Sequence, residues 1–136
     1  MPANAKTELI KRVPLFAQCS KQELARIATL ADEVDVRAGK VLAREGDRGR
    51  EFFLIVEGAV EVRAKGRKVA MLGDGDFFGE VALVSNAPRI ATVTATTPLR
   101  VLVITDRAFR ALLAKSPRIQ SKVLQALAKR VAETLL

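Results

Sequence analysis

The chain has 136 residues, 49% hydrophobic and 28% charged, which is enough apolar material for a packed core and too much for disorder. It contains no histidine, tryptophan or tyrosine and a single cysteine, Cys19. These absences exclude a Ser-His-Asp triad, a Cys-His nucleophile pair, His-ligated metal sites and any intrachain disulfide. The net charge of +8 is uneven: residues 1–30 and 117–136 each carry +3, and 31–116 carry +2. Basic flanks suit an anionic ligand or partner, or simply solvated helix faces.

Met1 to Arg12 has charges but no apolar segment of the signal-peptide kind. The densest apolar runs, Phe52–Val56 and Val101–Ile104, are too short to span a bilayer, so a cytoplasmic protein without membrane insertion is expected. All eight glycines lie between Gly39 and Gly79. Glycine punctuates turns and is costly inside helices, so the centre is expected to be β-structure and the flanks helical.

Val13-Pro14-Leu15-Phe16 reads as a short apolar docking segment. Ser20-Lys21-Gln22-Glu23 has the pattern of a capping box, followed by Leu24, Ile27, Ala28 and Ala31 at helical spacing. Strands are expected at Glu33–Arg37, Val41–Arg44, Phe52–Glu57, Ala59–Ala64, Lys68–Leu72, Ala91–Ala95 and Arg100–Ile104, with turns at Gly46–Gly49, Glu57-Gly58 and Lys65-Gly66. Many short strands at close spacing suggest a barrel, roll or jelly roll. Asp106 can cap a short helix carrying Phe109, Leu112 and Leu113, and Ser116-Pro117 starts another. In that last helix Ile119, Val123, Leu127, Val131 and Leu135 recur every four residues, with Leu124, Ala128 and Ala132 widening the stripe. Such a stripe is expected to cover the barrel mouth or a partner helix.

One stretch, Phe77 to Val93, interrupts the strand pattern. Gly79 to Leu83 has the length of about one helical turn, and a glycine opening it lets backbone N–H groups face an anion. Arg89 follows Pro88 and precedes an apolar strand, where it can point back across the loop with a guanidinium suited to phosphate. Glu80 would repel a phosphate but can accept hydrogen bonds from a sugar hydroxyl. Together these residues describe a pocket for a ribose phosphate. On spacing alone, a turn at Gly79 with a structural Glu80–Arg89 ion pair fits equally well.

The segments Phe78-Gly79-Glu80-Val81-Ala82-Leu83 and Pro88-Arg89-Ile90-Ala91-Thr92-Val93 resemble the phosphate-binding cassette of cyclic nucleotide-binding domains. Upstream, Glu45-Gly46-Asp47 and Phe52 to Val62 resemble the strand–glycine–strand core of the same family, and the likeness runs from about Val13 to about Ala114. It implies a mainly β fold with flanking helices: a β-roll, or double-stranded jelly-roll barrel, with an N-terminal helix and C-terminal hinge and lid helices. One domain over 1–136 is expected, helical over 1–32, β-roll over 33–105 and helical again over 106–136, with no output domain.

The resemblance also implies roles. Arg89 would pair with the exocyclic phosphate oxygens and Glu80 with the ribose 2′-hydroxyl. Backbone N–H groups of Gly79, Ala82 and Ala91 would complete the cradle, with Val81 and Ile90 in the ligand-binding set. Leu83 would relay occupancy to the C-terminal helices through Phe109. Relatives that prefer cGMP often carry a hydroxyl where this chain has Ile90, so cAMP is the expected ligand and cGMP the lesser one. Thr92 is the nearby hydroxyl, expected on the same strand face as Ile90. No aromatic follows Phe109, so a lid would be aliphatic, from Leu124, Leu127 or Val131.

The expected function is a cyclic nucleotide sensor, most simply of bacterial origin, that signals to a separate effector protein or forms a homodimer through its last helix. The alternative is a ligand-free adaptor or oligomerisation module that keeps the fold. Sequence-specific DNA binding is not expected, since twenty residues after Ser116 make one helix and no helix-turn-helix. An enzyme is disfavoured, because no acid–base pair can be nominated.

Overall fold

The computed structural model describes Pro2–Leu135, with side chains through Glu133. It contains two compact units: residues 32–107, and the residues up to Ala31 together with those from Ala108 onward.

The first unit holds, among the described residues, eight strands: β1 (Asp32–Val36), β2 (Val41–Ala43), β3 (Glu51–Glu57), β4 (Val60–Ala64), β5 (Arg67–Leu72), β6 (Phe77–Phe78), β7 (Thr92–Ala95) and β8 (Leu99–Thr105). They form two antiparallel four-stranded sheets, ordered β1-β8-β3-β6 and β2-β7-β4-β5. This is the β-roll that the strand spacing and the resemblance lead one to expect. The apolar runs Phe52–Ile55 and Val101–Leu102 are continuous rather than alternating because β3 and β8 are the interior strands of their sheet, buried on both faces. A core of Phe53, Ile55, Val60, Val93, Ala95, Leu99 and Val101 fills the space between the sheets.

Strand β6 has no counterpart in the sequence reading. Two residues are too few to display a period of two. The strand exists because Phe78 pairs with Phe53 and Phe77 with Leu54, and because the Phe53 and Phe78 rings stack with centroids 4.9 Å apart.

The second unit contains α1 (Ala3–Lys11), a 3-10 turn at Pro14–Phe16, α2 (Lys21–Ala28), most of α3 (Asp106–Lys115), and α4 (Pro117–Leu135). The capping box forms: the Glu23 N–H donates to Ser20 Oγ at 3.2 Å and the Ser20 N–H to Glu23 Oε1 at 2.7 Å. The same Glu23 carboxylate accepts from Lys122 Nζ at 2.5 Å and so ties α2 to α4. Ser116 caps α4 through the Ile119 N–H at 3.4 Å and accepts from Arg26 at 3.3 Å. Phe16 and Phe109, both fully buried, meet edge to face with centroids 5.6 Å apart.

The buried face of α4 is not the expected one. Ile119, Val123 and Ala126 are buried and Leu127 is half-buried, whereas Leu124, Ala128, Val131 and Ala132 are exposed; the side chain of Leu135 lies outside the described residues. Each four-residue step overshoots a full helical turn by roughly 40°, so Val131 sits about 120° around the helix from Ile119. Among the described residues, no helix is long and apolar enough to cross a membrane.

Candidate functional site

The site is built where the loop after β6 meets the turn between β2 and β3. Gly79 opens the loop with a φ of 83°, a left-handed conformation that side chains disfavour. That turn of the chain feeds Glu80–Leu83 into a single 3-10 turn. Glu80 is buried at 8% exposure, and Ala82 and Leu83 are buried beside it. The chain then runs through Ser85–Ala87 to Pro88 and Arg89.

Arg89 is held at several points. Its N–H donates to the Asp47 carbonyl at 2.7 Å, and its own carbonyl accepts from the Gly46 N–H at 2.8 Å. Pro88 forms a β-bridge with Arg48. The guanidinium Nη2 donates to the Glu51 carbonyl, the first residue of β3, at 2.6 Å. Two glycines flank it. A Cβ on Gly49 would come within 2.9 Å of Arg89 Nε, and a Cβ on Gly79 would run into Nη1 and within 2.8 Å of the Glu51 carbonyl. Burial lowers the Arg89 pKa from its ordinary value, and the nearby Glu51 carboxylate opposes that shift. The group remains a cation with its direction fixed.

Arg89 and Glu80 both line one cavity of about 470 Å³. Gly79, Val81, Ala82, Ile90 and Ala91 line it as well, so every ligand-binding residue expected from the sequence comes together on its wall. Val81 and Ile90 stand at 54% and 87% exposure, apolar side chains open to solvent. The Ala82 N–H donates to the Gly79 carbonyl at 3.0 Å and is engaged within the turn. Leu83 is fully buried in the β-unit, and Phe109 is fully buried in the helical unit against Phe16. Leu124 and Val131 are 65% and 59% exposed on α4.

Thr92 is not on the cavity wall. Its hydroxyl accepts from the Glu45 N–H at 3.0 Å. The period-two expectation linking it to Ile90 fails because β7 starts at Thr92, and Ile90 belongs to the preceding bend. Gly49 is the functional residue that sequence reasoning missed. It reads as one of several turn glycines, and its pairing with Arg89, forty residues on, leaves no local signal. Among the described residues, no cluster of acidic or sulfur side chains could hold a metal ion.

The chain belongs to the cyclic nucleotide-binding domain family, whose pattern it matches over residues 33–116. It is 43% identical over 110 residues to the cAMP-dependent protein kinase regulatory subunit of Mycosarcoma maydis, covering 74% of this chain and 21% of that protein. It is 39% identical over 116 residues to a cyclic nucleotide-gated potassium channel of Rhizobium etli, covering 85% of this chain and 32% of the channel. The chain thus spans about a third or less of the length of the curated relatives it matches. Among solved structures, the N-terminal domain of a transcriptional regulator from Streptomyces coelicolor A3(2) superposes with a TM-score of 0.84 at 30% identity, covering 93% of this chain and 94% of that one.

Proposed function

We propose that the domain is a cAMP sensor in which Arg89 binds the cyclic phosphate, Glu80 accepts from the ribose 2′-hydroxyl, and occupancy is passed to α3 and α4. The observation that carries this reading is the convergence of a fixed guanidinium and a buried carboxylate on one apolar cavity. A cyclic phosphate carries one negative charge on two exocyclic oxygens, which matches the fork of an arginine. The uncharged ribose edge tolerates the carboxylate that a second phosphate charge would not.

The domain acts as a regulatory rather than a catalytic unit, placed in the cytoplasm, and it reports to an effector protein. Coupling to α4 is the part of this reading that concerns the helix's docking, made by burial of Ile119, Val123 and Ala126 and by the Glu23–Lys122 and Arg26–Ser116 hydrogen bonds. Homodimerisation through α4 is part of the same reading. Leu124 and Val131, both exposed, lie seven residues apart on one face, the repeat of a two-helix seam. A calorimetric titration with cAMP, cGMP and 5′-AMP in parallel tests the binding claim. Saturable cAMP binding that exceeds 5′-AMP supports it. Absence of binding by all three overturns it and favours an adaptor that keeps only the fold.

A further inference from the structure

Two edge strands of the β-unit carry opposite charge. β5 ends the sheet β2-β7-β4-β5, and with the turn before it exposes Lys65, Arg67 and Lys68. Val69 and Met71 follow on the same strand at 58% and 47% exposure. Arg63, a fourth cation of this hairpin, is ion-paired with Glu61. The side chains of Lys65, Arg67 and Lys68 form no ion pair among the described residues. β1 begins the other sheet, β1-β8-β3-β6, and is acidic where β5 is basic. Asp32, Glu33, Val34 and Asp35 are all exposed. Arg100 on β8 stands 3.9 Å from Glu33 and 3.3 Å from Asp35, a single guanidinium set against three carboxylates.

An open edge strand is a template for a strand of another chain, and charge is a usual protection against such pairing. Here the protection is selective. β5 against β5 brings cations together, and β1 against β1 brings carboxylates together, both unfavourable. β5 against β1 is the combination that charge favours. Aligned in parallel with Val69 beside Val34, the strands bring Arg67 beside Asp32 and Lys68 beside Glu33.

We propose that the two edges form a self-association surface, β5 of one copy docking along β1 of a second copy. The contact is head to tail, so each added copy leaves a free β1 and a free β5 and growth continues past two. A symmetric contact through α4 closes at two copies instead. The edge contact is short, five residues of β1 against six of β5, and driven by charge. It is therefore weak and salt-sensitive, since the screening length falls from about 10 Å at 0.1 M salt to about 3 Å at 1 M.

The test is sedimentation velocity on the unaltered chain and on two charge-reversed variants, Arg67→Glu with Lys68→Glu, and Asp32→Lys with Glu33→Lys. At low salt and high concentration the unaltered chain should form species larger than a dimer that disappear by about 1 M salt. Each variant alone should lose them while keeping the wild-type circular dichroism spectrum. An equimolar mixture of the two should restore them, because each supplies the edge that the other has lost. Both variants keep a net positive charge, so attraction between whole molecules does not produce that rescue. The milder Lys68→Gln and Glu33→Gln should each weaken the association, which keeps the test decisive if a reversed variant does not fold. An unaltered chain without salt-sensitive growth, variants that associate as the unaltered chain does, or a mixture no larger than its components overturns the inference. Binding of poly-L-glutamate without self-association also overturns it and assigns β5 to an acidic partner.

Discussion

Gly49 lies flat against the guanidinium of Arg89: a Cβ at Gly49 would stand 2.9 Å from Nε, 3.0 Å from Cζ and 3.1 Å from the Cβ of Ala82. The β2–β3 turn therefore sets the position of the Arg89 cation on the cavity wall. The Glu51 carbonyl, two residues further along, fixes its outer edge.

Gly49→Ala should consequently act on binding more than on folding. The added methyl group displaces a half-buried arginine and weakens its bond to the Glu51 carbonyl. The expected effect is a roughly tenfold rise in the Kd for cAMP, the size of one charge-assisted hydrogen bond, with a stability loss of about 1 kcal/mol. Calorimetry and thermal melting on the same sample check this. A large fall in melting temperature with unchanged affinity would assign Gly49 to the fold alone.

Gly79→Ala meets both constraints at once. It forces a side chain into a left-handed backbone, at a cost of about 1–2 kcal/mol, and it collides with Arg89. Greater loss of both stability and affinity than in Gly49→Ala is expected, measurable by the same pair of experiments.

The Glu23–Lys122 contact predicts a pH dependence. The hydrogen bond from Lys122, followed by that from the Ser20 N–H, lowers the Glu23 carboxyl from its usual 4.5 to about 2. A carboxylate held below its unfolded pKa stabilises the fold above about pH 4.5, and that contribution is lost as the pH falls through about 2. Acid titration followed by circular dichroism should show the wild type losing stability across that window. Glu23→Gln should be less stable at neutral pH and flatter below 4.5. An identical acid slope in both proteins would remove Glu23 from the account.

The exposed face of α4 predicts self-association without a role in the fold. Leu124→Gln combined with Val131→Gln should change stability by no more than about 0.5 kcal/mol, as for most surface positions. The double variant should convert a dimer to a monomer in sedimentation velocity. A wild-type chain that sediments as a monomer at high concentration contradicts the dimer.

How far the sequence foretells this depends on how local each signal is. The capping box at Ser20–Glu23, the helix start at Ser116-Pro117 and the long strands β3 and β8 are all written within a few adjacent residues, and all are found. The cassette residues Gly79, Glu80 and Arg89 are legible for a related reason: a glycine, a carboxylate and an arginine in an otherwise apolar stretch need an explanation, and the family resemblance supplies one. Strand β6 and the packing of Gly49 on Arg89 depend on partners that are distant in sequence, Phe53 and Arg89. In α4 the every-fourth-residue pattern picks out a stripe that the 3.6-residue turn rotates away from the buried face, so Ala126 is buried and Val131 is not.

The most direct test of the binding account is a side-by-side calorimetric titration of cAMP into the wild type and Arg89→Ala. Heat is the suitable signal because the chain has no tryptophan or tyrosine to report binding. Arg89→Ala should weaken binding at least roughly tenfold, the loss expected for a charge-assisted contact to the cyclic phosphate, while retaining the wild-type circular dichroism spectrum. Equal dissociation constants for the two proteins would contradict the assignment of Arg89 to the phosphate.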